Sequence, residues 1–400
     1  MRFPGFEGEW EIRKLEELLE FKNGINASKE QYGHGIKFVN VSDILNNEFL
    51  TYENIIGSVN IDNNTLNKYI VQYGDILFQR SSETREEVGT ANVYLDKEKP
   101  ATFGGFVIRG KKIGNYDPVF INYLLKTNIS RKNITSKSGG STRYNVGQET
   151  LSSVELSFPS IFEQEKIGSF FSLINERIQT QSKIIQRLES LMQGVREKVF
   201  KQQKRFKNKK GNDFPEWEEK KLDLILIKNS NKNKGQKHSL VQSVSNKYGF
   251  INQDEMFEDR QVASKNTSNY YVIEKGHFAY NPSRINVGSL AYKFDNKTSV
   301  ISPLYISFRA NNNYIKDDYL LNWFSTLQFL KQMDKSFEGS VRNTLSYESL
   351  VKMKILIPSL DEQEKIVNFL SSINKKIQTE KAILEQFVKQ KKYLLQQMFI

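Results

Sequence analysis

The sequence predicts an α+β chain built twice: two mixed globular fronts, each followed by a long α-helix, related by a pseudo-two-fold internal repeat. Three observations predict it. The segment PSIFEQEKI (159–167) returns 199 residues later as PSLDEQEKI (358–366). After each copy, apolar residues recur in heptads. Before each copy, short apolar runs alternate with glycine turns and helical patterns, the mixture expected of a sheet-and-helix domain. The similarity is strong over 140–200 and 339–399, where Gly140-Ser141-x-Arg143 answers Gly339-Ser340-x-Arg342, and weaker ahead of them. Divergent fronts on similar backs suit a frame that carries two different readers, although an old duplication kept only for packing leaves the same pattern.

Each back begins with a capping signature, Ser160-x-x-Glu163 and Ser359-x-x-Glu362, preceded by a proline that disfavours helix upstream. The first seam runs through Ile167, Phe171, Ile174, Ile178, Ile185, Leu188, Met192, Val195 and Val199, with Gln181 in its one gap. In the second, Glu380 holds the same phase among Ile366, Leu370, Ile373, Ile377, Leu384, Phe387, Leu394 and Met398. A polar residue at one seam position fixes register at some cost in stability, or marks a solvent gap. A helix from Glu163 to Phe200 spans roughly 57 Å at 1.5 Å per residue. Two such helices suit an antiparallel coiled coil within the chain; periodicity alone allows pairing between chains equally well.

The boundaries that follow are 1–158 for the first front, 159–200 for its helix, 201–213 for a basic linker (KQQKRFKNKKGND), 214–357 for the second front and 358–400 for the distal helix. Phe3-Pro4 with Trp10 and Leu15 is matched to Phe214-Pro215 with Trp217 and Leu222. Tyr69 to Tyr73, Gly74-Asp75 and Ile76 to Phe78 reads as strand, tight turn, strand, as does Tyr270 to Ile273, Gly276-His277 and Phe278 to Tyr280. Further strands are expected at Phe106 to Ile108 and Leu304 to Phe308, and helices at Pro118 to Lys126 and Asp317 to Met333. Each apparent hairpin runs into a polar, arginine-bearing loop: Gln79, Arg80, Ser81 and Arg85 in one copy, Ser283, Arg284 and Asn286 in the other. Side chains of these types make bidentate hydrogen bonds to base edges, or simply decorate an exposed turn. A second loop precedes each long helix, with Ser141, Arg143 and Asn145 in the first copy and Ser340, Arg342 and Asn343 in the second. Its glycine, serine and arginine suit close approach to a phosphate, or a turn that orients the helix.

Composition narrows the chemistry. The formal charge of +12 over 400 residues points toward nucleic acid or an acidic partner, or toward solubility alone. The absence of cysteine excludes disulfide scaffolds, thiol catalysis and iron–sulfur clusters. The three histidines, at 34, 238 and 277, have no metal-ligand spacing, and no metal site is expected. There is no Gly-x4-Gly-Lys-Ser/Thr phosphate loop. Asn281-Pro282-Ser283 lacks the second proline and the aromatic of an amino-methyltransferase tetrad, so no catalytic residue is expected. No apolar run approaches the roughly 20 residues that cross a bilayer, and the first residues lack the layout of a secretory signal. The expectation is a cytoplasmic protein that meets no membrane.

The duplicated Pro-Ser-x-x-Glu-Gln-Glu-Lys-Ile helix starts, the Gly74-Asp-Ile-Leu-Phe-x-Arg80…Val88-Gly89 element and the Trp10 and Trp217 domain starts together resemble the specificity subunit of type I restriction–modification systems. The resemblance covers essentially the whole chain, in the order target-recognition domain, central helix, target-recognition domain, distal helix. It implies a non-catalytic subunit that reads the two halves of a split, asymmetric site in double-stranded DNA. It also implies that the paired helices set the unread gap and dock two methyltransferase subunits, which join restriction/translocase subunits in an ATP-dependent endonuclease. S-adenosylmethionine, ATP and magnesium would then sit on the partners, with no cofactor in this chain.

Overall fold

The computed structural model describes residues 2–253, 266–337 and 343–399. The two long helices form as the heptads require: α1 spans Ile161–Phe200 and α2 spans Leu360–Met398. Every seam residue is buried or half-buried, Gln181 and Glu380 included, while off-seam Leu173, Leu191, Val388 and Tyr393 face solvent. The helices run antiparallel. The Arg177 guanidinium lies 5.0 Å from the Phe387 ring, and Lys381 pairs with Glu189 at 2.7 Å, so rising number on one helix meets falling number on the other.

The chain divides into two compact units, and the division falls inside the helices. The first unit holds residues 1–183 and 382–400, the second 184–381. The sequence boundaries, by contrast, keep each helix whole. Each front packs against the near end of one helix and the far end of the other. Phe171, Met398 and Phe399 join the first core, while Phe200, Ile366 and Leu370 join the second.

In the first unit a four-stranded antiparallel sheet is made of β1 (Leu19–Asn23), β2 (Ile76–Gln79), β3 (Ala91–Val93) and β4 (Val107–Lys112), in the spatial order β1-β4-β2-β3. In the second unit β5 (Leu226–Lys228), β6 (His277–Tyr280), β7 (Leu290–Tyr292) and β8 (Ile306–Ala310) pair in the order β5-β8-β6-β7. The connectivity is the same, so the fronts that diverge in sequence share one topology. A second sheet accompanies each, with one parallel pair in the same place: Tyr32–Val39 beside Thr102–Phe103, and Val241–Ser245 beside Ser299–Ile301.

The two expected hairpins are not hairpins. Residues 63–69 are helical, Val71 bridges Ala101, and β2 pairs instead with β3 and β4. Tyr271–Ile273 likewise pairs with Ser299–Ile301, not with β6. Gly74 and Gly276, both at φ 90°, carry the chain from one sheet to the other, a left-handed turn that glycine makes without steric cost. The helix expected over Asp317 to Met333 is two, Asp317–Trp323 and Leu327–Lys335. Thr326 breaks it by accepting a hydrogen bond from Phe329 N–H.

The helix starts hold a different bond set from a capping box. Ser160 and Ser359 do cap, each accepting from the backbone N–H three residues on at 3.4 Å. The glutamates do not reach back. Glu163, fully buried, accepts two hydrogen bonds from Arg2 at 2.7 and 2.6 Å. Glu362 accepts two from Arg205 at 3.4 and 3.2 Å and one from Trp217 Nε1 at 3.0 Å. Phe3 meets Phe170 edge-on at 5.4 Å and Phe206 meets Phe369 edge-on at 5.4 Å. The structural counterpart of Arg2-Phe3 is therefore Arg205-Phe206, not Phe214-Pro215. Part of the segment read as a solvated linker is thus folded into the second unit. The repeated glutamines clamp the front helices: Gln164 accepts from Asp117 N–H and donates to Pro159 O, while Gln363 accepts from Lys316 N–H and donates to Pro358 O.

Candidate nucleic-acid interface

In the first unit the interface grows from the end of β2. Gln79 is buried, its Nε2 donating 2.9 Å to Ser81 O, so the side chain does not reach the surface. Arg80, one residue on, is exposed: its N–H donates to Phe106 O at 2.9 Å and its carbonyl accepts from Val146 N–H at 3.0 Å. Ser81–Ser82 pairs with Tyr144–Asn145, and Ser81 Oγ donates to Asn145 Oδ1 at 2.7 Å. The two loops that the sequence offered separately are therefore one surface. Paired backbone bonds between Gly139 and Asn145 close the second loop. Gly140 sits at φ 114°, where a Cβ would lie 2.0 Å from Arg143 O. Ser141 and Arg143 are exposed at its tip and Asn145 at its base.

Two residues that sequence reasoning missed complete this surface. Phe106, at 63% exposure, accepts the Arg80 N–H at its carbonyl and carries the Arg143 guanidinium 5.9 Å from its ring. Asn23, at the end of β1, lines with Arg80, Asn145 and Glu149 a groove of about 570 Å³. Arg85 serves the frame: its guanidinium donates to Thr135 O and Ser136 O, the last carbonyls of the helix Asn128–Ser136. Arg131 holds the same loop from below through Glu86 O and Val88 O, and burial pushes its guanidinium down to about 10.

The second unit presents a shorter turn at the end of β6. Asn281 N–H donates to Ser289 O at 3.0 Å, and Asn281 Oδ1 accepts from Ser283 N–H at 3.1 Å. Ile285 is the buried anchor, and Ser283, Arg284 and Asn286 are exposed around it. Pro282 O accepts from Leu345 N–H as Arg80 O accepts from Val146 N–H. The backbone position of Arg80 is therefore occupied by Pro282, and Arg284 lies two residues further on. Asn343 is exposed on the second loop, while Ser340 and Arg342 lie outside the described residues. Both surfaces offer guanidinium, carboxamide and hydroxyl groups, the donors and acceptors that DNA bases and phosphates accept. Among the described residues no three acidic or histidine side chains gather as a metal site, and no helix is long and apolar enough to cross a membrane.

A family model described as the type I restriction modification DNA specificity domain matches this chain twice, over residues 7–190 and 215–388. The chain belongs to that family. It is 23% identical over 413 residues to a putative type I restriction enzyme specificity subunit, MjaX, of Methanocaldococcus jannaschii, covering 97% of this chain and 92% of the relative. To the MjaIX specificity subunit of the same organism it is 24% identical, covering 92% and 88%. The type I S subunit from M. genitalium aligns over 100% of this chain and 98% of its own with a TM-score of 0.54 at 17% identity. A chain solved for complex assembly and conformational transition of the type I R-M system aligns over 98% of both with a TM-score of 0.60 at 16% identity. Both likenesses are of fold.

Proposed function

We propose that each front reads one half of a bipartite, asymmetric site in double-stranded DNA, and that α1 and α2 set the unread gap and dock two adenine methyltransferase subunits, which bring in the restriction subunits. The observation that carries this reading is a frame shared by the two units that carries different tips. The two sheets have one connectivity, and the Glu–Arg and Gln clamps recur, yet Arg80 stands where the other copy has Pro282. A shared frame with exchanged tips is what two different half-sites require. Lysines and arginines supply salt-dependent attraction that is blind to sequence, and Arg80, Arg143, Asn145, Arg284 and Asn286 supply base-edge contacts. The chain itself is non-catalytic and works in the cytoplasm; S-adenosylmethionine, ATP and magnesium belong to its partners.

The test is to co-express this chain with a methyltransferase subunit of its own system and map methylated adenines across the host genome. A new split motif with a fixed gap, absent without this chain, is the expected result. A copurifying, DNA-binding complex that reads a single uninterrupted motif would overturn the bipartite reading, and DNA binding without copurification would make the chain a stand-alone regulator.

A further inference from the structure

We propose that the first front carries a receptor for one unstacked nucleobase beside its reading loops, an inference that rests on the DNA role proposed above. A cavity of about 360 Å³ opens there, walled by the rings of Tyr32, Phe38 and Phe106 and edged by the carboxamides of Asn26 and Asn40. Its size is at the lower end of small-ligand sites. Tyr32 is 43% exposed and Phe106 63%, so two aromatic rings stand open to water at its mouth. Tyr32 meets Phe38 edge-on at 5.4 Å, which fixes one wall. The floor is kept open by two glycines: a Cβ at Gly104 would lie 2.9 Å from the Phe38 ring, and one at Gly105 would lie 2.0 Å from Asn26 Oδ1.

The cavity joins the DNA-facing surface through shared residues. Arg80 reaches Gly105 O at 3.4 Å, and Arg143 sits over the outer ring, Phe106. A duplex positioned by those two arginines presents its bases at the mouth. A base offers a flat π-face to stack on aromatic rings and an edge of donors and acceptors that a carboxamide matches. Proteins that unstack a base recover the cost from such contacts. Neither an alkyl ligand nor a bare phosphate would use both the rings and the amides.

The assembled complex with its methyltransferase subunits is titrated against duplexes carrying 2-aminopurine at each position of the first half-site in turn. One position is expected to brighten on binding, and the brightening should disappear in Ser42→Trp, which fills the cavity from its rim. It should weaken in Tyr32→Ala, with affinity for the duplex falling roughly 5- to 150-fold, the range seen when one base loses its stacking partner. A signal that survives both substitutions arises on a partner subunit and overturns the receptor. A signal lost in Phe106→Ala but kept in Ser42→Trp marks a ring inserted between base pairs, and also overturns it. Retained half-site binding with no bright position sinks the receptor alone, whereas loss of all sequence-specific binding in the unmodified complex sinks the DNA reading with it.

Discussion

Arg80 and Gln79 are neighbours on one strand end, and replacing each by alanine should have opposite consequences. Arg80 is exposed, and its side-chain bond to Gly105 O is long at 3.4 Å. Removing it from the free protein should change stability by no more than about 0.5 kcal/mol. On DNA, a bidentate contact from such a residue contributes roughly 1–3 kcal/mol of discrimination, about 5- to 150-fold in preference at one base pair of the first half-site, with the second half-site untouched. Gln79 is buried and gives Ser81 O its donor at 2.9 Å. Gln79→Ala strands that carbonyl and leaves a cavity, so it should cost about 1–3 kcal/mol in unfolding free energy and no base preference. The assay is competition binding of the assembled complex against duplexes with single base-pair changes across both halves, beside thermal unfolding of each variant. Uniform weakening by Arg80→Ala on every duplex, with a shallower salt dependence, would make Arg80 a phosphate contact and refute the assignment. Relaxation of one base pair by Gln79→Ala would refute the division between frame and tip.

Arg205→Ala should destabilise the second unit by about 3 kcal/mol, because among the described residues it leaves the fully buried Glu362 carboxylate only Trp217 Nε1 as donor; denaturant unfolding checks it, with the exposed pair Glu219–Lys354 as a control near zero. Lys126 gives a pH signature. Burial pushes its ammonium down, Glu48 pulls it partly back, and Lys391 pushes it down again, leaving it at about 8. Between about pH 8 and 10.5 the unfolded chain binds more protons than the folded one, so this group makes stability rise with pH across that window. Lys126→Met should flatten the rise in Tm measured from pH 7.5 to 10, and an unchanged slope would contradict the assignment. A heptad inserted after Gln181 adds about 10.5 Å of helix; methylation mapping should show a changed gap or lost assembly with both half-site sequences kept, and altered half-sites would contradict the ruler.

What the sequence made legible follows from which features are local. Heptad spacing reports directly on the buried face of a helix, and every seam position, polar Gln181 and Glu380 included, is where the period put it. Sheet pairing is not local. The runs around Gly74 and Gly276 look like hairpins because a glycine at positive φ reverses the chain in either case, yet the partner strands lie some 30 residues further on. The Glu-Gln repeat is legible as identity, but identity does not name the partners of its side chains. Glu163 fits a capping box by spacing, but Arg2, 161 residues away, competes for its carboxylate with a bidentate charged bond that one backbone N–H does not match. The same competition hid the start of the second unit, where Arg205 lies in a lysine-rich run and its partner Glu362 lies 157 residues later.

The charged residues most conspicuous in sequence divide by what the backbone offers them. Arg85 and Arg131 spend their guanidinium groups on carbonyls at a helix end and in a loop, whereas Arg80 and Arg143 stand exposed beside Phe106. A guanidinium committed to carbonyls at a helix end or in a loop would have to break those bonds to reach a base, and one held by at most a single long bond would give up less. The frame arginines can therefore be the same in proteins that read different sites, while positions such as Arg80 and Pro282 are free to change. Replacing Arg80 by another residue that keeps the N–H donated to Phe106 O, glutamine for instance, should alter which bases are read without disturbing the fold that holds them.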